Sequence, residues 1–134
     1  MHSCTQNKYM VNLMSSDETR KIRNRVTVKE IDFCLGAKKE FNALPEEHQI
    51  SFMHNLNLVA AGMDPTLKID HLESVGPGVI ELKINGRPAF RCIYYNKLPR
   101  QVVVIHATPK TTNGPDPKIL DLAKKRLKTY LQKR

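Results

Sequence analysis

Three side chains that can act on a phosphodiester stand within a short stretch of this chain: Lys83, Arg91 and His106. An ammonium and a guanidinium hold phosphate oxygens and offset developing negative charge. An imidazole, with an ordinary pKa of about 6.5, gives or takes a proton near neutrality. To act together the three must reach one surface. Alternation in Val79 to Ile84 puts Ile80, Leu82 and Ile84 on one side and Glu81 and Lys83 on the other. The same parity lets Arg91 and His106 join Lys83 on the strands that follow, giving a cationic, largely open sheet face. A one-residue slip or bulge would reverse any strand's contribution. Each residue also has a plainer reading, as a solvated strand charge or a satisfied, partly buried histidine.

The charge distribution favours the chemical reading. Residues 1–82 carry 9 Lys/Arg against 11 Asp/Glu, whereas residues 83–134 carry 13 against 2, so the C-terminal part alone has a net charge of +11. Such a field steers polyanions and releases counterions on docking, and a nucleic acid or a ribosome is the natural partner. Lys124, Lys125, Lys128 and Lys133 are also what the wet side of any amphipathic helix would carry. That account does not cover Lys83, Arg87, Arg91, Lys97, Arg100 and Lys110, which fall in or beside predicted strands.

The 134 residues, 40% apolar, suit one core. No apolar run approaches the roughly 18 residues of a membrane span, and no apolar block follows a basic start, so a cytoplasmic protein without membrane partner is expected. Cys4, Cys34 and Cys92 are odd in number and form no CxxC pair, which predicts reduced thiols. Neither metal nor cofactor is called for.

The elements that must position the three residues follow from periodicity. Residues 1–24 read as a loose extension, with Met10 and Met14 offering later starts, ahead of one domain over 25–134. Val26 and Val28, then Ile31 or Phe33, give a first strand. Ala37, Phe41 and Leu44 recur at helical spacing. Pro45-Glu46-Glu47 starts a second helix with Ile50, Met53, Leu56 and Ala60 on its apolar face, ending at Gly62. Asp64 to Pro77 reads as loop. Val79 to Ile84, Ala89 to Tyr95 and Val102 to His106 form an antiparallel meander whose first turn is the tight Asn85-Gly86. Leu120, Ala123, Leu127 and Tyr130 line a closing helix. His48 and His54 are read as helix-face residues.

Four blocks in order then carry a resemblance: Gly76-Pro77-Gly78-Val79-Ile80-Glu81-Leu82-Lys83; Phe90-Arg91-Cys92-Ile93-Tyr94-Tyr95; Val104-Ile105-His106-Ala107; and Leu122-Ala123-Lys124-Lys125-Arg126. Together they resemble the phage-related HigB branch of the RelE/ParE toxin superfamily, with its V-x-E-L-R, Y-R-x-x-Y, H-A-F-x-K-K-T and A-x-x-R motifs, over Val26 to Lys133. The resemblance implies a compact α+β, RelE-like fold, in which an N-terminal strand and helical hairpin pack on a twisted, mainly antiparallel sheet with a C-terminal helix. It also implies a type II toxin that cleaves mRNA on the ribosome and is silenced by an antitoxin, of helix-turn-helix type. The chain departs from the pattern at Lys83 for arginine, at Thr108 for an aromatic residue and at Thr111 for the second lysine, with Pro109 also unusual.

For such an enzyme the RNA 2′-hydroxyl is the nucleophile, so cleavage needs a base, an acid and cations, and no metal. His106 would serve as acid or base, Arg91 would carry transition-state charge, and Lys83 would clamp phosphate or act as a base of lowered pKa. Lys110, Arg87, Lys97 and Arg100 would bind RNA, and Tyr95 (or Tyr94) would stack on a base. The alternatives are a ParE-like gyrase poison that is not an enzyme, and an RNA-binding module with a decayed active site.

Overall fold

A computed structural model of the chain describes residues 28–110, 114 and 116–133. The expected 1–24 extension, Val26, Cys4 and Thr111 lie outside these residues. The order of elements is β1 (Glu30–Phe33), α1 (Ala37–Asn42), α2 (Glu46–Ala60), β2 (Lys68–His71), β3 (Val79–Ile84), β4 (Ala89–Tyr95), β5 (Gln101–Lys110) and α3 (Pro117–Gln132). The five strands form one sheet in the order β1-β5-β4-β3-β2, antiparallel except for β1 beside β5. This is the α+β, RelE-like arrangement expected.

Four local expectations change. The first strand starts at Glu30, with Val28 partly buried ahead of it. Within the stretch read as loop, Lys68–His71 pairs with β3 as an edge strand. Its sequence Lys-Ile-Asp-His hides it, because an edge strand needs only Ile69 on the packed side. The turn after β3 is longer than two residues: Asn85 to Pro88 separate Ile84 from Ala89, which begins β4. Finally, α2 buries Phe52, Asn55, Leu56, Val59 and Ala60, while Ile50 is 63% exposed. Leu56 and Ala60 are buried and Met53 packs against the core as expected, so the apolar stripe holds except at Ile50 and is widened by Phe52 and Val59. A polar residue sits inside it because Asn55 Oδ1 accepts from the amides of Thr66 (2.7 Å) and Leu67 (3.0 Å) and its Nδ2 donates to Ser51 O. That exchange satisfies every polar atom of the buried amide and fixes the chain between α2 and β2.

The hairpin α1–α2 packs on one sheet face, where Phe41 meets Phe33 edge to ring and His48 lies on Phe90, centroids 4.3 Å apart. Leu82, Cys92, Val102 and Val104 fill this side, all fully buried. Complete burial of each such side chain contributes on the order of 1.5–3 kcal/mol. α3 starts as its sequence suggests, with Pro117 in the first turn and the Asp116 carboxylate accepting from Lys118 N at 2.9 Å. It lies on the opposite face: the Tyr130 hydroxyl donates to Asp32 at 2.7 Å, and Asp32 pairs in register with Val103 and, through it, Tyr95.

Candidate functional site

Cross-strand partners share a face, so the register locates each candidate. Lys83 stands opposite Arg91, and Arg91 opposite Thr108; Glu81 stands opposite Ile93, and Ile93 opposite His106; Ala89 stands opposite Lys110. Lys83, Arg91, His106 and Lys110 therefore do share one side of the sheet. For His106 this depends on a bulge. Ile93 pairs with His106 but Tyr94 with Val104, leaving Ile105 extra on β5. Without it, His106 would follow Val102 and Val104 into the hairpin side.

The face is not the open surface expected. Val79, Ile93 and Val103 on it are buried, and α3 lies against its β1–β5 half. What remains toward the β3–β4 loop is an ionic cluster. Lys83 Nζ donates to Asp70 Oδ2 at 2.9 Å. Arg91 turns Nη1 onto the carbonyls of Phe90 (3.0 Å) and Ile84 (3.3 Å), and its Nε lies 3.8 Å from Glu81 Oε1. That Nε is buried and makes no hydrogen bond. Burial raises the Glu81 pKa above its ordinary value; Lys110, Arg91 and Lys83 pull it down and Asp70 pushes it up.

His106 belongs to a second network. Its Nδ1 lies 2.9 Å from Glu40 Oε1, and Arg126 binds the same carboxylate through Nη1 at 2.7 Å and Nη2 at 2.9 Å. Arg126 also donates to Ile105 O (3.0 Å), and Ala107 N donates to Glu40 Oε1 (3.4 Å). The pair thus satisfies the edge of β5 beyond the end of β1. A carboxylate only accepts, so the 2.9 Å contact to Glu40, shorter than the 3.4 Å approach of Arg126 Nη1 to the same nitrogen, assigns the proton to Nδ1 and leaves Nε2 bare. Nε2 is buried and unpartnered. Burial lowers the His106 pKa, Glu40 raises it and Arg126 lowers it further. In this arrangement both ring nitrogens are turned inward, Nδ1 onto Glu40 and Nε2 into the protein, so His106 is not presented on an open face as the sequence suggested.

The expected RNA-binding residues divide between the two ends of the sheet. Arg87 is exposed in the β3–β4 loop, near Lys110, Lys83 and Arg91. Lys97 and Arg100 are exposed in the β4–β5 turn, and Tyr95 ends β4 beside it, so a β4 length of roughly 20 Å separates them from the cluster. Tyr94 is buried, its hydroxyl pKa pushed up to about 12 by that burial, which leaves Tyr95 as the stacking candidate.

Three residues of these networks were not singled out from sequence. Glu81 shows in the sequence only as the polar neighbour of Lys83, and Arg126 as the last residue of Ala123-x-x-Arg126. Glu40 gave no signal, because its partner Arg126 is 86 residues away. One glycine shares their geometry: Gly36 has φ +90° and an added Cβ would stand 2.7 Å from Arg126 Nη2.

No curated protein matches the chain. The profile of a family described as phage derived protein Gp49-like (DUF891) matches residues 39–128, which takes in the end of α1, all of α2, the whole sheet after β1 and most of α3. With more than half of its length matched, the chain belongs to the Gp49-like phage-derived family, a member of the RelE-type toxin superfamily of toxin–antitoxin systems.

Proposed function

We propose that this protein is a HigB-like toxin of a type II toxin–antitoxin system, a ribosome-dependent mRNA endonuclease working without metal in the cytoplasm. The observation that carries this reading is the gathering of Lys83, Arg91 and Lys110 around one partly buried sheet face, at the end of the sheet where Arg87 is also exposed. Three cations there match a phosphodiester whose transition state gains negative charge. Arg91 carries that charge and Lys83 and Lys110 hold the phosphate, while His106 supports the sheet face from its Glu40–Arg126 network. The ribosome supplies the mRNA, and Tyr95, Lys97 and Arg100, at the far end of the sheet, contact RNA outside the cleavage point. The silencing partner is a helix-turn-helix antitoxin with an acidic segment for the basic face.

Mapping mRNA 5′ ends after brief induction, with and without translation, tests this. Codon-phased cuts that need active ribosomes, lost in Arg91→Ala, are expected. DNA breaks with intact mRNA would replace the reading with gyrase poisoning. A second reading has its own support. Arg91 is tied to backbone carbonyls and His106 Nε2 is covered, which fits a module that binds RNA without cutting it. Its signature is RNA binding with neither cleavage nor growth inhibition.

A further inference from the structure

With His106 Nε2 covered, the cationic face still requires a group to accept the nucleophile's proton. Two carboxylates stand in its β2–β3 part, away from Asp32, which Tyr130 holds under α3. Asp70 has a side chain 54% exposed and is already held by Lys83 at 2.9 Å. Glu81 differs on both counts: its side chain is 13% exposed, and its nearest cation, Arg91 Nε, is too far for a hydrogen bond at 3.8 Å. No donor among the described residues lies within hydrogen-bonding distance of its oxygens. A carboxylate removed from water yet not engaged keeps its lone pairs for an incoming donor.

The register places Glu81 among the groups that would hold a phosphate. It is diagonal to Arg91 and two residues from Lys83 on its own strand. Lys68 and Asp70 flank it from β2, and His106 lies beyond Ile93 with Glu40 and Arg126 behind it. We propose that Glu81 is the general base of this face, taking the 2′-hydroxyl proton of the nucleotide whose phosphate Arg91, Lys83 and Lys110 hold; this rests on the ribonuclease reading above.

The step balances within the site. The O2′–H bond breaks and its proton goes to a Glu81 oxygen. The freed pair forms the O2′–P bond, the P–O5′ bond breaks, and the leaving oxygen takes a proton from the Lys110 or Lys83 ammonium. The products are a 2′,3′-cyclic phosphate and a 5′-hydroxyl. Glu81 returns its proton to water and the lysine regains one, with no oxidation or reduction. Burial of Glu81, which brings its pKa up toward working pH, suits a base.

The competing account makes Glu81 only the counter-ion of Arg91, and the two predict different splits. Loss of a counter-ion would loosen Arg91 and weaken RNA binding and cleavage together. Loss of a base removes one negative charge from a cationic face, so cleavage falls while RNA binding holds or tightens. The full-length protein, Glu81→Gln and Glu81→Asp are compared in cleavage on programmed ribosomes and in binding to a labelled single-stranded RNA oligonucleotide. Glu81→Gln is expected to cut at least roughly 100-fold more slowly with equal or tighter binding, and Glu81→Asp to recover part of the rate. Cleavage by Glu81→Gln within about threefold of the parent, or a parallel fall in binding and cleavage, overturns the proposal. The pH–rate profile of the unmodified protein needs no variant: its acid side must fall with one protonation above the ordinary carboxylate range, and a flat profile there overturns the assignment. If the unmodified protein cuts no RNA on ribosomes, the ribonuclease reading itself has failed, an outcome separate from an active protein indifferent to Glu81.

Discussion

Glu40 and Glu81 are both partly buried carboxylates with arginines beside them, yet their pKa values move in opposite directions. Burial raises both. At Glu40 this is outweighed by the Arg126 hydrogen bonds, by the charges of His106 and Arg126, and by the Ala107 amide, and its pKa ends below the ordinary 4.5. At Glu81 burial wins, because Lys110, Arg91 and Lys83 act only through space and Asp70 opposes them. The difference is geometric. A guanidinium at 2.7 and 2.9 Å compensates lost hydration, and one at 3.8 Å does so poorly. One carboxylate is therefore structural cement between α1, β5 and α3, and the other is free to react.

Breaking the cement should have the largest effect. Arg126→Ala leaves Ile105 O without its side-chain donor and Glu40 with only His106 and the Ala107 amide, and a loss of about 2–3 kcal/mol is expected in urea unfolding, less than a fully buried pair would cost because both side chains retain some exposure. A substitution that keeps both charges is the next test. Gly36→Ala puts a Cβ into a left-handed residue and against Arg126, and should cost about 1–2 kcal/mol. A loss near zero would show that Arg126 can shift without weakening its bonds to Glu40.

Acid titration sharpens the contrast through its sign. Glu40, held below 4.5, contributes stability that is present above 4.5 and lost as pH falls through its folded value. His106, lowered from 6.5, likewise stabilises above 6.5 and loses that contribution on acidification. Glu81 runs the other way: its contribution is present below 4.5 and lost as pH rises through its raised value. Glu81→Gln should therefore be slightly more stable than the parent at pH 7, by at most about 1 kcal/mol, and the gain should vanish toward pH 4. A destabilised Glu81→Gln would mean that the Arg91 contact is worth more than its length suggests. The smallest effect is expected at the far end of the sheet, where Lys97→Ala should change binding of an RNA oligonucleotide by no more than about twofold.

Much of this was legible in the chain. Alternation in Val79 to Ile84 put Glu81 and Lys83 on one side, the Pro45-Glu46-Glu47 start and Gly62 stop bounded α2, and the charge asymmetry pointed to the C-terminal half. Local chemistry decides such features, so a local reading finds them. The edge strand Lys68–His71 escaped because an edge has only one packed side, and Ile50 alone left the α2 face that Met53, Leu56 and Ala60 keep, because Phe52 and Val59 fill the packed side beside them.

The sequence by itself determined the α+β class, the hairpin, the meander and the cations that converge on one face. Tertiary structure alone decided what those cations meet. A single extra residue at Ile105 sets which side of the sheet His106 takes, a parity that pattern cannot count across a bulge. Contacts between groups 86 residues apart engage Glu40, whereas Glu81 stays unengaged, and the 2.7 and 2.9 Å of the first against the 3.8 Å of the second separate the two outcomes. Hydrogen-bond energy depends that steeply on geometry, which spacing along a chain does not encode.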